Sequence, residues 1–298
     1  MNVFISHHRP LPLWPGSRFP VVKYELLHRV LQQHADLFHI HPARPVGMEE
    51  LSLVHDDRYI RAVVHGDLDP QAQRRIGFPW TPDMVDRVRH SVGGTLSAAR
   101  AAWRDGVSGH LAGGTHHAHR SYGHGYCVFN DVAVSIRILQ DEGKIRRATV
   151  IDLDVHHGDG TAELFADDPT VFTFSMHAAN NFPPHKPPSN LDIALPDGTA
   201  DAPYLDLLQQ ALDESIPWAS TDMVFYIAGA DPFALDRIGR LALTKSGLKQ
   251  RDELVFDYCQ HYRIPIVVVL GGGYGQDIAE TVDIHAATFF TLAASPSV

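Results

Sequence analysis

Three ionisable side chains follow an apolar stretch of the sequence at alternating positions. The run 148–151 leads into Asp152, Asp154 and His156, which lie at i, i+2 and i+4. In an extended backbone these positions share one face of a strand. Burying such groups together is costly unless a cation or a proton network satisfies them. The spacing therefore predicts a metal site, and the competing interpretation is a helix N-cap at Asp159 with surface histidines nearby.

A second apolar run repeats this pattern later in the chain. The segment 223–231 reads Met-Val-Phe-Tyr-Ile-Ala-Gly-Ala-Asp, so that an apolar strand passes through small residues to Asp231. Ligands of open α/β sheets collect at the carboxyl edge, where parallel strands end. We therefore expect Asp231 to be a third metal ligand, while a capping aspartate before Pro232 is the alternative interpretation.

Two glycine-rich loops carry further reactive side chains. The loop 110–119 contains the adjacent histidines His116 and His117. Adjacent imidazoles are awkward joint ligands of one ion, but they suit a pair of acid–base groups that separate carboxylates orient. A solvated histidine-rich loop is the alternative. The loop 271–275 follows a buried apolar strand and exposes Tyr274 to a ligand.

Strands that alternate with helices are expected to position these groups. Besides the two strands above, apolar runs predict strands at 2–6, 171–175 and 264–270. Helical periodicity predicts helices at 23–33, 204–212 and 252–262, two short helices within 48–66, and a long helix after Thr81, with an irregular polar segment over 68–79. This alternation indicates a doubly wound parallel sheet with polar groups at the strand ends.

Two features bear on domain organisation. The Gly93-Gly94 pair inside the long helix indicates either close packing against another element or a break. No internal repeat, low-complexity tract or domain boundary is recognisable in the 298 residues. We therefore expect residues 1–298 to form one domain.

Composition restricts the classes of partner. A formal net charge of −10 disfavours direct binding to nucleic acids or to anionic membranes. The two cysteines, Cys127 and Cys259, do not make a disulfide framework. The N-terminus lacks a signal-peptide pattern, and no later stretch reaches about 18 apolar residues. We therefore expect a cytoplasmic protein with no membrane partner, and a homo-oligomer stays open.

Five motifs together resemble one known family. They are Gly113-Gly-Thr-His-His-Ala, Gly125-Tyr-Cys-Val-Phe-Asn-Asp, Asp152-Leu-Asp-Val-His-His-Gly-Asp-Gly, Gly229-Ala-Asp and Gly271-Gly-Gly-Tyr. In this order they resemble the zinc-dependent histone deacetylases, which have the arginase–deacetylase fold. The resemblance spans nearly the whole chain and leans toward the class IV branch and its bacterial relatives. It implies a single-domain, three-layer α/β/α architecture with a central, mostly parallel sheet.

The resemblance also implies a role for each residue of the candidate site. Zinc would be bound by Asp154, His156 and Asp231, although ligands without sulfur also suit Fe(II). His117 would act as general base and then as general acid, and His116 would remain an electrostatic partner. The supporting residues would be Asp159 beside His117, Asp152 beside His116, and Tyr274 as a donor to the oxyanion.

A tunnel for the acyl-lysine stem is implied in the same way. Gly125, Tyr126 and Phe182 would line it, and Ile238 would lie near its mouth. From the sequence alone, Phe182 is equally consistent with ordinary loop packing. A structural potassium ion is implied as well, with ligands from Asp152, Ser175 and the backbone carbonyls of Asp154, His156 and Met176.

The resemblance implies zinc-dependent hydrolysis of the amide bond in N-ε-acyl-lysine, and the residue types agree with that chemistry. Amide hydrolysis needs a nucleophile at neutral pH, and a bound zinc ion can lower the pKa of water to about 7. It also needs a group that moves the proton and a donor to the carbonyl oxygen, which an imidazole and a phenol provide. Two departures from the family, Thr115 and Tyr126, concern the acyl pocket, so acetyl is not assumed to be the preferred acyl group.

Three other functions remain open on the sequence. A deacetylase of acetylated polyamines or other small amides would use the same residues, and the acidic balance suits a cationic ligand in either case. A binuclear manganese ureohydrolase shares the fold, but Ala228-Gly-Ala-Asp-Pro supplies only one of the aspartates that it needs. A non-catalytic metal-binding protein is disfavoured, because both histidines, the three ligands and Tyr274 are all present.

Overall fold

The fold is built on one parallel β-sheet. The computed structural model describes residues 1–294 and over them shows the strands β1 (Asn2–Ile5), β2 (His39–Pro42), β3 (Val107–His110), β4 (Ala148–Asp152), β5 (Val171–Ala178), β6 (Leu191–Leu195), β7 (Met223–Ile227) and β8 (Ile266–Val269). Their order across the sheet is β2-β1-β3-β8-β7-β4-β5-β6, and every neighbouring pair runs parallel. The predicted α/β class with a parallel central sheet is confirmed.

Helices cover both faces of the sheet and complete three layers. Their bounds are α1 (Val22–Gln32), α2 (Met48–Ser52), α3 (Asp57–His65), α4 (Pro70–Ile76), α5 (Pro82–Asp105), α6 (Asp131–Asp141), α7 (Asp159–Leu164), α8 (Asp201–Glu214), α9 (Lys245–Tyr262) and α10 (Ile278–Ala294). One core lies under α3, α5 and α6, and a second lies under α8 and α9. None of the helices over residues 1–294 combines the length and apolar character needed to cross a bilayer.

Burial on both faces explains why the central strands β7 and β8 are continuously apolar. In β7, Phe225 and Ile227 point into one core, whereas Val224 and Tyr226 point into the other. A strand that is covered on both sides has no position for a polar side chain until it ends. Because β4 and β7 are parallel neighbours, the polar residues that follow them emerge side by side at the same edge of the sheet.

The long helix shows how the sequence fixes the spacing between layers. Thr81 caps α5 as predicted. A side chain at Gly93 would collide with the carbonyl of Arg44, and one at Gly94 would collide with the His110 imidazole. The glycine pair therefore serves close packing, and the helix continues through it without a break.

Several elements differ from the prediction. Segment 68–79, expected to be irregular, contains α4, whose cap Asp69 accepts hydrogen bonds from the two backbone N–H groups that follow Pro70. Helix α9 begins at Lys245 rather than near residue 252, because the Thr244 side chain caps it. Strands β2, β3 and β6 were not predicted, since they have only four or five residues and include polar ones. The single domain over 1–298 stays a prediction, because residues 295–298 lie outside the described residues.

Candidate active site

The candidate metal ligands converge at the carboxyl ends of two neighbouring strands. Asp154 and His156 follow β4, and Asp231 follows β7. One ligand atom from each residue lies within 4.8 Å of the other two, and all three residues are buried. His156 Nδ1 lies 2.9 Å from Asp154 Oδ1 and 3.2 Å from Asp231 Oδ2. The structure thus brings together the three residues that the sequence predicts as ligands.

These atoms fit a divalent cation. Asp231 is fully buried, and its Oδ2 accepts no hydrogen bond of good geometry within residues 1–294, although His156 Nδ1 lies 3.2 Å away. Burial, together with the charge of Asp154, raises the pKa of Asp231 to about 6, which indicates that the carboxylate needs a positive charge beside it. Oxygen and nitrogen donors suit Zn²⁺, and three protein ligands leave coordination positions open.

Two buried histidines face two separate carboxylates beside this cluster. His116 Nδ1 lies 2.7 Å from Asp152 Oδ2, and His117 Nδ1 lies 2.6 Å from Asp159 Oδ1. An ionised carboxylate can only accept, so each Nδ1 donates its proton. This arrangement leaves the Nε2 atom of each ring to interact with a ligand.

The two imidazoles differ in their acid–base properties. Burial and the neighbouring charge of His116 lower the pKa of His117 to about 3, although Asp159 opposes the change. Burial alone would also lower the pKa of His116, but Asp152 and Asp154 outweigh it and raise that pKa to about 9. At pH 7, His117 is therefore neutral and able to accept a proton, whereas His116 holds one. Two groups whose pKa values are pushed apart in this way suit the roles of base and fixed cation.

Backbone hydrogen bonds hold the loop that carries the histidines. The Asp131 carboxylate accepts from the N–H groups of Gly114 at 3.0 Å and Thr115 at 2.7 Å. Gly113 and Gly114 have φ values of +80° and +74°, which favour glycine. A side chain at Gly114 would also collide with the backbone of Gly271. The paired glycines are thus required for the two glycine-rich loops to meet.

Tyr274 belongs to the loop between β8 and α10, which approaches the metal ligands closely. Gly272 N–H in this loop donates to Asp154 Oδ2 at 2.6 Å. The buried Lys23 ammonium donates to two carbonyls of the same loop, at 3.3 and 3.4 Å. Burial raises the pKa of Tyr274 well above its usual value, and the nearby charge of Asp231 adds to the effect. The phenol therefore stays protonated and can donate a hydrogen bond.

A cavity of about 700 Å³ leads from the surface to these groups. Its lining includes the predicted substrate-binding residues Gly125, Tyr126, Phe182 and Ile238. Phe182 is 40% exposed and packs against His117 with ring centroids 5.0 Å apart, so it forms a wall of the cavity. Tyr126 packs against Phe19 at 4.9 Å, and the exposed Ile238 lies at the mouth. Asp152 and Asp231 lie behind the lining, in contact with His116 and His156.

Comparison with models of known protein families shows which family this chain belongs to. The model of the histone deacetylase domain matches residues 15–289. The chain belongs to the histone deacetylase family. An uncharacterized protein of Picosynechococcus sp. is 43% identical over 277 residues, which are 92% of each chain. Histone deacetylase 2 of Arabidopsis thaliana is 32% identical and is matched over 78% of this chain and 62% of its own length. The acetoin utilization protein AcuC of Bacillus subtilis is 31% identical, with 80% and 67% covered.

Solved structures of similar proteins share the fold of this histone deacetylase-family chain. A crystal structure of an HDAC homolog complexed with SAHA aligns with a TM-score of 0.82, covering 99% of this chain and 84% of that chain at 24% identity. The HDA15 HD domain aligns with a TM-score of 0.80 at 20% identity. The predicted arginase–deacetylase fold and the family are confirmed. The class IV branch stays a prediction.

The residues predicted for potassium lie beneath the histone deacetylase-family site. Ser175 and Met176 are on β5, and Ser175 is the register partner of Asp152 on β4. Ser175 Oγ lies 3.0 Å from His177 Nδ1. The potassium site therefore stays a prediction, with its side-chain donors on neighbouring strands.

Two histidines near His117 were not singled out in the sequence. His119 Nε2 and His124 Nε2 lie 3.0 and 2.8 Å from Asp159 Oδ2. His119 Nδ1 also lies 2.9 Å from Glu163 Oε2. Burial alone would raise the pKa of Asp159, but the three surrounding imidazoles lower it strongly. Asp159 thus contacts three imidazoles and is not the N-cap of α7. The sequence feature that could have indicated His119 is its position two residues after His117.

Proposed function

We propose that this chain hydrolyses the amide bond of N-ε-acyl-lysine with the help of a bound Zn²⁺ ion. One observation carries the proposal. The ligand set Asp154, His156 and Asp231 lies beside two buried histidine–carboxylate pairs, at the inner end of a cavity that opens to the surface. Membership of the histone deacetylase family supports a deacetylase-type hydrolase, whereas Zn²⁺ rests on the donor set, which Fe(II) also fits.

We assign the following catalytic roles to residues of the chain. A divalent ion at this site supplies Lewis-acid polarisation of the amide carbonyl and lowers the pKa of water. His117 accepts a proton from the attacking water through Nε2 and returns it to the departing amine. Asp159 holds His117 in the tautomer with Nδ1–H, and His116, which Asp152 holds in the same way, would be its electrostatic partner. Tyr274 donates its hydroxyl to the carbonyl oxygen as negative charge develops there.

The cavity supports a substrate that presents its amide at the end of a slender chain. Aromatic walls from Tyr126 and Phe182 suit an apolar stem, and the candidate metal ligands with the two histidines lie at the inner end. We propose an acyl-lysine protein or peptide as the partner, with an acylated small amine such as an acetylpolyamine as the second candidate. Beyond this, we propose a class IV-like enzyme that acts in the cytoplasm, holds a structural K⁺ ion near Ser175, and binds neither nucleic acid nor membrane.

Metal depletion tests the reaction. We expect chelation to abolish hydrolysis of acyl-lysine peptides and Zn²⁺ to restore it at about one ion per chain. His117→Ala should retain zinc but lose turnover, because it removes the base and no ligand. Full activity of the depleted protein, or of His117→Ala, would contradict the mechanism.

Substrate class is tested by offering acyl-lysine peptides of increasing acyl length beside acetylated polyamines. The walled cavity predicts that kcat/KM changes with acyl length on the peptides. Equal rates from acetyl to long chains would count against a shaped tunnel, and faster turnover of acetylpolyamines would favour the second candidate.

A further inference from the structure

The mouth of the cavity differs in charge from the chain as a whole. The formal net charge of the protein is −10, yet Arg74 and Arg75, in the last turn of α4, are exposed and both line the cavity. Neither guanidinium has a carboxylate in ion-pair contact within residues 1–294. Glu163 is the acidic residue that lines the outer cavity, and its carboxylate already faces the His119 imidazole at 2.9 Å.

Stacked side chains connect Arg75 to the proposed base. Its Cζ lies 5.0 Å from the ring centroid of Tyr122. Tyr122 stacks on His119 with centroids 4.2 Å apart and an interplanar angle of 13°. His119 Nε2 in turn lies 3.0 Å from Asp159, the partner of His117. The guanidinium is therefore supported on the wall that leads to the reacting centre, which reduces the entropy lost when it binds an anion.

The backbone fixes the position of this arginine pair as well. Asp69 caps α4 with its Oδ1 at 2.9 Å from two backbone N–H groups, so its charge is engaged at the other end of the helix. Gly77 ends the helix in the left-handed region with φ +94°, and a side chain there would collide with the Tyr126 ring. The Ile76 carbonyl accepts a hydrogen bond from Tyr126 N–H at 2.9 Å. The last turn of α4 is thus tied directly to the wall of the cavity.

We propose that Arg74 and Arg75 select substrates that carry a carboxylate beside the acyl-lysine. This inference rests on the proposed function, because it concerns the mouth of the same cavity. Two guanidinium groups that line one cavity and have no acidic ion-pair partner within residues 1–294 suit a carboxylate, which a guanidinium binds in a planar, bidentate manner. The carboxylate has two sources, an acidic residue that flanks the acyl-lysine in a peptide or the α-carboxylate of the acyl-lysine itself. The same charges disfavour a polycationic substrate, although the net charge of the whole chain suggests the opposite.

Binding to a zinc-loaded His117→Ala protein tests the preference without turnover. The probes are acetyl-lysine tripeptides with both ends blocked and with glutamate, glutamine or lysine on the two sides. We expect affinity to fall in the order glutamate, glutamine, lysine, with about three- to tenfold between neighbours, as for partly exposed charge pairs. The differences should shrink when the salt concentration is raised, because salt screens exposed charges.

Variants identify the residues responsible. The double variant Arg74→Gln, Arg75→Gln should bind the three peptides with nearly equal affinity. Arg146→Gln is the matched control, since Arg146 is also exposed but precedes β4, where the strand begins rather than where it ends at the cavity. This variant should keep the wild-type order of peptide affinities. Equal affinities or a lysine preference in the protein that keeps both arginines would overturn the inference. So would nearly equal affinities for the three peptides in the Arg146→Gln control.

Two further experiments identify the source of the carboxylate and distinguish this inference from the proposed function. Comparing N-acetylated acetyl-lysine as the free acid with its amide shows whether the α-carboxylate or a flanking residue is recognised; a gain in either arm supports the proposal. Turnover of the same peptides by zinc-loaded wild type distinguishes the two proposals. If no peptide is hydrolysed while the affinity order persists, the proposed function fails and the charge preference stands. If the peptides are hydrolysed with no order in affinity or in kcat/KM, the charge preference fails alone.

Discussion

Replacing Asp159 by asparagine removes one charge from beneath the proposed base and keeps the size of the side chain. In the wild type, Oδ1 accepts from His117 Nδ1 at 2.6 Å, while Oδ2 faces His119 and His124 at 3.0 and 2.8 Å. Asparagine has one acceptor oxygen, so its NH₂ group must point at an imidazole that now has to accept. If that imidazole is His117, its proton moves to Nε2, and the ring can no longer take a proton from water there.

The size of the effect follows from this role. General acid–base catalysis by a positioned side chain contributes about 10²–10⁴ in rate, so we expect kcat/KM of Asp159→Asn to fall within that range. This corresponds to about 3–5 kcal/mol of transition-state stabilisation. Zinc content should stay near one per chain, because the proposed zinc ligands are Asp154, His156 and Asp231.

The assay is hydrolysis of an acetyl-lysine peptide between pH 6 and 9, with metal content measured on the same samples. Asp192→Asn is the matched control, since Asp192 Oδ1 also faces an imidazole, His157 Nε2 at 3.1 Å, but outside the cavity lining. It should leave kcat/KM unchanged. Wild-type kcat/KM in a fully metal-loaded Asp159→Asn protein would refute the assignment of His117 as a base oriented by Asp159.

Three further outcomes are expected for stability. His55 is buried and neutral, accepts from Asn130 N–H at 3.0 Å, and has its pKa lowered by burial from 6.5 to about 4. This residue alone should therefore contribute up to about 3 kcal/mol to the unfolding free energy that is lost as the pH falls from 6.5 to 4, and urea titrations should show a correspondingly smaller loss for His55→Gln. Arg251→Met removes the cation beside the buried Asp252 and the hydrogen bonds to the carbonyls of Leu153 and Gly229. It should cost about 3–5 kcal/mol in chemical unfolding, so a cost below 1 kcal/mol would contradict that role. Gly94→Ala should cost about 1–3 kcal/mol, because the added methyl group meets the His110 imidazole; an unchanged melting temperature would argue against close packing there.

The parts of the site that the sequence predicts are those whose geometry is local. Asp154 and His156 directly follow a buried apolar run, which the sequence alone reveals. The expected extended backbone does not persist there, because β4 ends at Asp152 and residues 154–156 form a bend that places both side chains in the cluster. Asp231 likewise follows a buried run, β7, which is the neighbour of β4 in the sheet. The glycine pair Gly113-Gly114 marks a loop with left-handed backbone, which few other residues adopt.

Helix α4 and the edge strands are elements that local sequence patterns do not predict. Segment 70–76 has no apolar stripe, since it packs through little more than Gln73 and Ile76, and periodicity alone therefore missed it. Strands β2 and β6 lie at the two edges of the sheet. Their positions are set by pairing with a distant strand rather than by their own composition.

The sequence by itself determined the fold class and the family, and it predicts which residues bind the metal and which one acts as the base, because apolar runs, motifs and residue spacing are properties of short segments. Only the tertiary structure decided that Asp159 gathers three imidazoles, that Phe182 forms a wall of the cavity, and that Arg74 and Arg75 lie at its mouth. Each of these contacts joins segments far apart in the chain. Such contacts depend on how the layers pack around the sheet, and packing leaves no periodic trace in the sequence.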